Sequence, residues 1–333
     1  MAVWLAGSAL GADQEMHGTT YRPLTDVARQ FGFTKSWLTA AKTMALRSKS
    51  YALDFTVNER EMHLNYEPVA FGWPVILYDG DLWIAKRDFD KNIVPLLLPR
   101  TLPDPPALHR IVIDPGHGGK DPGGENPALK LNEKANTLDV ALRLAQILQK
   151  EGYGVTLTRS DDHFVELKER TAIANAAHGD LYISIHFNIA ADPSVSGVET
   201  WMLTPPGEPS SNRADLEPQD MVVDGGNKFD LWNAVAGYLM EWGVTKKLGA
   251  ENRGVKRARY VVLTDLQMPG MLIEGGFLTN AVEGRKIATA AYRQQIAQGI
   301  ADGVGLYAQS LEKTREAQGL AKPAGKAAAK AGP

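Results

Sequence analysis

Residues 110–124, RIVIDPGHGGKDPGG, decide the fold. Ile111, Val112 and Ile113 read as a short apolar strand, and the Pro- and Gly-rich stretch behind them stops it and turns the chain. The turn is not a phosphate loop. A dinucleotide fingerprint would need a third glycine where Asp121 stands, and a Walker loop would need Ser or Thr there, after Gly119-Lys120. The glycines instead permit a tight turn that presents His117 at the strand's end.

Outward from this stretch, strand and helix alternate. A helix is predicted over about 133–150, with Leu138, Ala141, Leu142, Ala145 and Leu148 on one face. Strand 153–159, helix 165–178, strand 181–187 and strand 198–204 follow, then a loop rich in Pro, Gly, Asp and Ser over 205–227. Helix 228–248, strands 258–264 and 271–275, and a helix over about 283–310 complete the pattern. Such alternation predicts an α/β fold, an open and mostly parallel sheet with helices on both faces. Ligands of such sheets bind outside the carboxyl ends of the strands.

Three chemically apt residues fall at such ends: His117, His186 in LYISIHF (181–187) and Glu274 in MLIEGGF (271–277). Glu133 stands at the start of the first long helix. Two imidazoles and one carboxylate make a three-ligand zinc set with a position open for water, and a further carboxylate can move that water's protons. The pattern points to metal-assisted hydrolysis. Taken singly, each residue has a plainer reading. His117 could be a satisfied turn histidine, His186 a hydrogen-bonded core residue, and Glu133 a favourable first-turn charge. Glu274, at the end of an apolar strand, is costly unless paired, protonated or metal-bound. Their joint placement is what chance does not readily produce. Asp114 could orient a ligand or serve the turn, Asn188 could hold a ring or contact substrate, and Arg170 reads as a structural ion pair. Glu199 in GVET is a rival second carboxylate. His17, His63, His109, His163 and His178 read as structural or exposed.

Residues 19–98 differ. TDVARQFGF reads as a short helix stopped by Gly32, period-two patterning runs through residues 44–66, and Asp79-Gly80 between apolar runs signals a hairpin. A small α+β domain without a catalytic constellation is expected, joined by a Pro-rich linker (99–109) to a catalytic domain over 110–311. Residues 1–18 hold a short apolar run like the core of a secretory signal, and 312–333 are a low-complexity tail expected to be disordered.

With 44% hydrophobic and 23% charged residues, the 333-residue chain has ample material for a globular core. A net charge of −3 gives no attraction to nucleic acid. The absence of cysteine excludes disulfides and thiolate metal sites, leaving His, Asp and Glu as ligands. No run approaches the roughly 20 apolar residues of a membrane span.

The segments IDPGHGGKDPG, ERTAIANAAHGDLYISIHFN, GVET, NRGVKRARYVVL and MPGMLIEGGFLTN, with the region of Glu133, closely resemble the zinc-dependent N-acetylmuramoyl-L-alanine amidases of bacterial cell walls. They run in that family's order across about 110–308. The resemblance implies Zn2+ held by His117, Glu133 and His186, with Glu274 as the catalytic glutamate. It further implies an exported enzyme of the periplasm or cell envelope that acts on peptidoglycan. A zinc peptidase acting on another amide and a silent wall-binding protein are the alternatives. Some relatives block their site with an inserted helix, whereas 205–227 here reads as a loop. The N-terminal module resembles in layout the small domain named after the amino terminus of copper amine oxidases, and reads as a spacer or wall-adhesion module.

Overall fold

A computed structural model describes residues 13–321. The apolar run read as a signal falls almost wholly outside them, as does the end of the tail. The chain divides into two compact units, with the boundary between Asn92 and Ile93.

The first unit is antiparallel. Strands Thr34–Thr39, Thr43–Arg47, Ala52–Thr56, Glu61–Leu64 and Glu67–Ala70 form a meander. Alternate residues face inward, so that Met44, Leu46, Leu53, Phe55, Met62 and Leu64 are all buried. A four-strand sheet pairs Gln14–Met16, Thr19–Pro23, Asp81–Ala85 and Ile76–Tyr78 in that order. Strand Gln14–Met16 lies inside the stretch 1–18 read as holding a signal. Asp79 and Gly80 turn the last hairpin with φ of 47° and 72°, the pair of positive values that a type I′ turn requires. The helix Leu24–Phe31 buries Leu24, Val27 and Ala28.

The main sheet of the second unit runs in the order Gly154–Leu157, Arg110–Pro115, Leu181–Asn188, Gly270–Phe277, Val198–Leu203 and Asn252–Ala258. The first four run parallel, and the last two run against them. The sheet is thus mixed, with helices on both faces. Glu133–Lys150, Asp230–Leu248 and Ala290–Ala317 pack together on one face. On the other, Leu167–Ala176 and the segment 262–268 cover Val112, Tyr182, Trp201 and Leu272.

Three expectations need correction. Residues 258–264 do not form a strand. Val261–Thr264 is one turn of helix whose Val262 and Leu263 are buried, and the strand lies earlier, at Asn252–Ala258. A short apolar run fits either structure, and Asn175 decides it here by bonding both Asp265 O and Gln267 N of the following turn. The single helix over 283–310 is two, Ala281–Ile287 and Ala290–Ala317, because Thr289 caps the second by accepting from Tyr292 N. The tail boundary at 312 falls inside that second helix. Thr314 Oγ donates to Pro99 O at 3.1 Å and Gln318 Nε2 to Leu102 O at 2.7 Å, so the linker and the helix end hold each other.

Loop 205–227 holds only short 3-10 turns. Its anchor is the buried Asp220, which accepts from Arg213 Nη2 at 2.7 Å and Arg259 Nε at 3.2 Å. Among the described residues no helix is long and apolar enough to cross a membrane.

Candidate metal centre

Strand register builds the site. Glu274 pairs with His186 on one side and with Glu199 on the other, so the three form a row across neighbouring strands. Directly paired residues point to the same face of a sheet. Beyond the end of Arg110–Pro115 the chain turns, and His117 takes φ of 62°, a left-handed conformation uncommon outside glycine. Two buried arginines fasten this turn. Arg170 donates to Pro115 O at 2.8 Å and to His117 O at 2.8 Å, and Arg159 donates to Pro115 O at 3.0 Å and to Gly116 O at 2.8 Å.

Glu133 opens the Glu133–Lys150 helix, with Asn132 as its cap, and turns back into the cluster. Its Oε1 lies 2.8 Å from His186 Nδ1 and its Oε2 lies 3.0 Å from His117 Nε2. Backbone N–H groups of Phe187 (3.0 Å) and Gly124 (2.8 Å) donate to the same two oxygens. One ligand atom from each of His117, Glu133 and His186 lies within 4.8 Å of the others. Among the described residues this is the group of three His or carboxylate side chains able to hold a metal, and no other histidine joins one.

Two glycines make room for it. A Cβ at Gly116 would sit 2.3 Å from the His186 ring, and one at Gly123 would sit 2.6 Å from the His117 ring and 2.7 Å from Glu133 Oε2. Neither position tolerates a side chain.

Electrostatics follow from the contacts. Burial alone would raise the Glu133 pKa, but hydrogen bonds and charge from His117 and His186 reverse this and hold it well below the carboxylate range. Burial would lower His117, yet Glu133 and Asp121 raise it. Asp121 Oδ2 lies 2.8 Å from His117 Nδ1, leaving Nε2 directed at the cluster. Glu274 differs from both. Burial first, then the charges of Glu133 and Glu199, push its pKa well above the ordinary carboxylate range. Its Oε2 is buried and has no hydrogen-bond partner among the described residues. An unpaired carboxyl beside three convergent donors fits a bound divalent ion and a reacting water.

Several residues act otherwise than expected. Asp114 does not orient a ligand ring. It lies wholly buried and pairs with Arg170 at 2.9 Å, while Tyr182 and Ser184 donate to its other oxygen. Arg170 is the ion pair expected, and it also clamps the His117 turn. Glu199 is no free base, because its two oxygens accept from Asn188, Trp201, Arg253 and Lys256. Asn188 serves Glu199 and not a histidine ring. Sequence reading missed Asp121, Arg159 and the steric need for Gly116. Only Asp121 left a signal, an acid four residues after His117 in a glycine-rich turn.

Residues 111–305 match the sequence family described as N-acetylmuramoyl-L-alanine amidase. The chain is 34% identical over 217 residues to N-acetylmuramoyl-L-alanine amidase AmiC of Neisseria meningitidis serogroup B, a match covering 59% of this chain and 52% of that one. It is 34% identical over 223 residues to N-acetylmuramoyl-L-alanine amidase AmiA of Escherichia coli K12, covering 59% and 75%. The crystal structure of N-acetylmuramoyl-L-alanine amidase from Clostridium difficile 630 matches with a TM-score of 0.51 at 31% identity, covering 61% of this chain and 97% of that one. The chain spans about half the length of the Neisseria relative.

Proposed function

The chain belongs to the N-acetylmuramoyl-L-alanine amidase family, and from that premise we propose that it is a zinc-dependent hydrolase of peptidoglycan. The bond cleaved is the amide joining the lactyl group of N-acetylmuramic acid to L-alanine. The observation that carries this reading is the convergence of His117, Glu133 and His186 beside the unpaired carboxyl of Glu274.

His117, Glu133 and His186 would hold the ion, and a set of two imidazoles and one carboxylate suits zinc. Zinc bound there supplies a Lewis acid that polarises a carbonyl and makes water a nucleophile near neutral pH. Asp121 fixes the tautomer of His117, and the arginine clamps fix its backbone. Glu274 is the proton carrier. As a carboxylate it takes the proton of the attacking water, and as an acid it returns that proton to the alanine nitrogen. An amide leaves poorly as an anion, so a carboxyl group that readily holds a proton matches the second task. Water attack then yields a lactyl carboxylate and a free alanine amine.

Action on peptidoglycan implies export to the periplasm or cell envelope, and the first unit would serve as a spacer or wall-adhesion module. Digestion of purified peptidoglycan followed by mass spectrometry tests the reading. The expected products are intact glycan strands and peptides with free alanine amino termini. Cuts within the glycan or within the peptide would reject it.

A further inference from the structure

Strand Asn252–Ala258 brings two cations to Glu199, the buried carboxylate paired with Glu274 across the sheet. Glu199 Oε1 accepts from Asn188 Nδ2 at 2.7 Å and from Trp201 Nε1 at 3.1 Å, while Oε2 accepts from Arg253 Nε at 3.0 Å and from Lys256 Nζ. One cation would balance Glu199. The second leaves the cluster with a net positive charge.

Both cations retain capacity. Their side chains are 30% and 22% exposed. Apart from Glu199, Arg253 donates only from Nη1, to Ser196 O at 3.4 Å, so among the described residues its Nη2 has no partner. Lys256 uses one of its three N–H donors. Rings also fix the two charged heads in place, with Arg253 Cζ over Phe277 at 5.2 Å and Lys256 Nζ over Trp201 at 5.3 Å. The cluster adjoins the reacting groups, for Glu199 is the cross-strand neighbour of Glu274 and Asn188 follows His186 by two residues.

We propose that Arg253 and Lys256 form a carboxylate-binding subsite that receives an acidic group on the peptide side of the substrate. The inference rests on the amidase reading. In that substrate the lactyl carboxyl is consumed in the scissile amide, so the carboxylates near the bond belong to the peptide. Two partly exposed donors with heads held over rings and an excess positive charge suit such a group, and a carboxylate can bridge them with charge-assisted hydrogen bonds.

The test compares two soluble fragments with the full chain loaded with zinc. One is an N-acetylmuramyl-L-alanyl dipeptide whose second residue ends in a free carboxylate, and the other is its carboxamide. The expected KM for the acid is about tenfold lower than for the amide, as one charge-assisted contact would give. In Arg253→Gln and in Lys256→Gln the ratio of the two KM values falls toward one, while Lys256→Arg keeps it. Each single variant leaves one cation on Glu199, so either can stand in if the other fails to fold. Calorimetric titration of Glu274→Gln protein with both fragments reads the same preference without turnover. A wild type indifferent to the two fragments, or Gln variants that keep the full preference, overturns the subsite. Failure to cleave either fragment or peptidoglycan counts against the amidase reading instead, and the titration still decides the subsite.

Discussion

At the scale of single residues, the proposed mechanism separates holding a metal from moving a proton. Glu274→Gln preserves shape but removes the titrating group. It should keep its zinc and lose about 10²–10⁴-fold in turnover on peptidoglycan, the usual worth of a positioned acid–base. His117→Ala should lose both, as metal analysis beside the rate assay would show; full activity in Glu274→Gln would remove that residue from the mechanism. Gly116→Ala is a third probe. The added methyl would sit 2.3 Å from the His186 ring, so the ring must leave the cluster, and zinc content should fall although no ligand has changed. The grouping of His117, Glu133 and His186, with Glu274 paired to His186, was legible in the sequence because each is chemically conspicuous at a predicted strand or helix end. The steric role of Gly116 was not, since it depends on a ring 70 positions away. Asp114 misled for a related reason. Its carboxylate is taken up by Arg170 and by the hydroxyls of Thr158, Tyr182 and Ser184, partners that only the folded sheet brings to it.

At the scale of elements, what decides geometry is a set of buried polar ties between segments far apart in the chain. Asp114, on the strand before the His117 turn, binds Arg170 on the helix Leu167–Ala176, and Arg170 in turn binds the turn's carbonyls. Burial alone would raise the Asp114 pKa, but Arg170 and the hydroxyls of Thr158, Tyr182 and Ser184 hold it below the ordinary 3.8. A folded pKa below the unfolded value means stability that is present above pH 3.8 and is lost as pH falls through and below it. Melting temperature should therefore drop steeply below about pH 4, and Asp114→Asn should melt lower at neutral pH with a shallower acid decline. An equal acid slope in both proteins would exclude Asp114 as a source of it. Elements with long, clean periodicity, such as Glu133–Lys150, could be read from the sequence directly. Residues 252–264 could not. Arg253, Lys256 and Arg257 interrupt the strand's apolar pattern because they serve Glu199 and the carbonyl of Leu203, and the apolar run after them belongs to a helical turn.

At the scale of the whole molecule, the stretch read as a mere linker and the stretch read as a disordered tail turn out to complete one another. Prolines at 99, 103 and 105 remove backbone donors but leave their carbonyls free to accept. Thr314, Trp232 and Arg315 donate to those three carbonyls, and Gln318 reaches Arg100 and Leu102. Low-complexity composition hid this, since the bonds come from four polar side chains and not from an apolar face that periodicity could reveal. The consequence is measurable. A chain ending at Leu311 loses Thr314, Arg315 and Gln318, and with them four bonds worth about 4 kcal/mol together, at roughly 1 kcal/mol each. It should melt several degrees lower than a chain ending at Ala321, which retains them all. Thr314 is fully buried, so Thr314→Val tests its bond with little change of shape and should account for about a quarter of the loss. If the two truncations melt together, the end of the last helix contributes nothing to the second unit, and the boundary read from composition at residue 312 is the physical one.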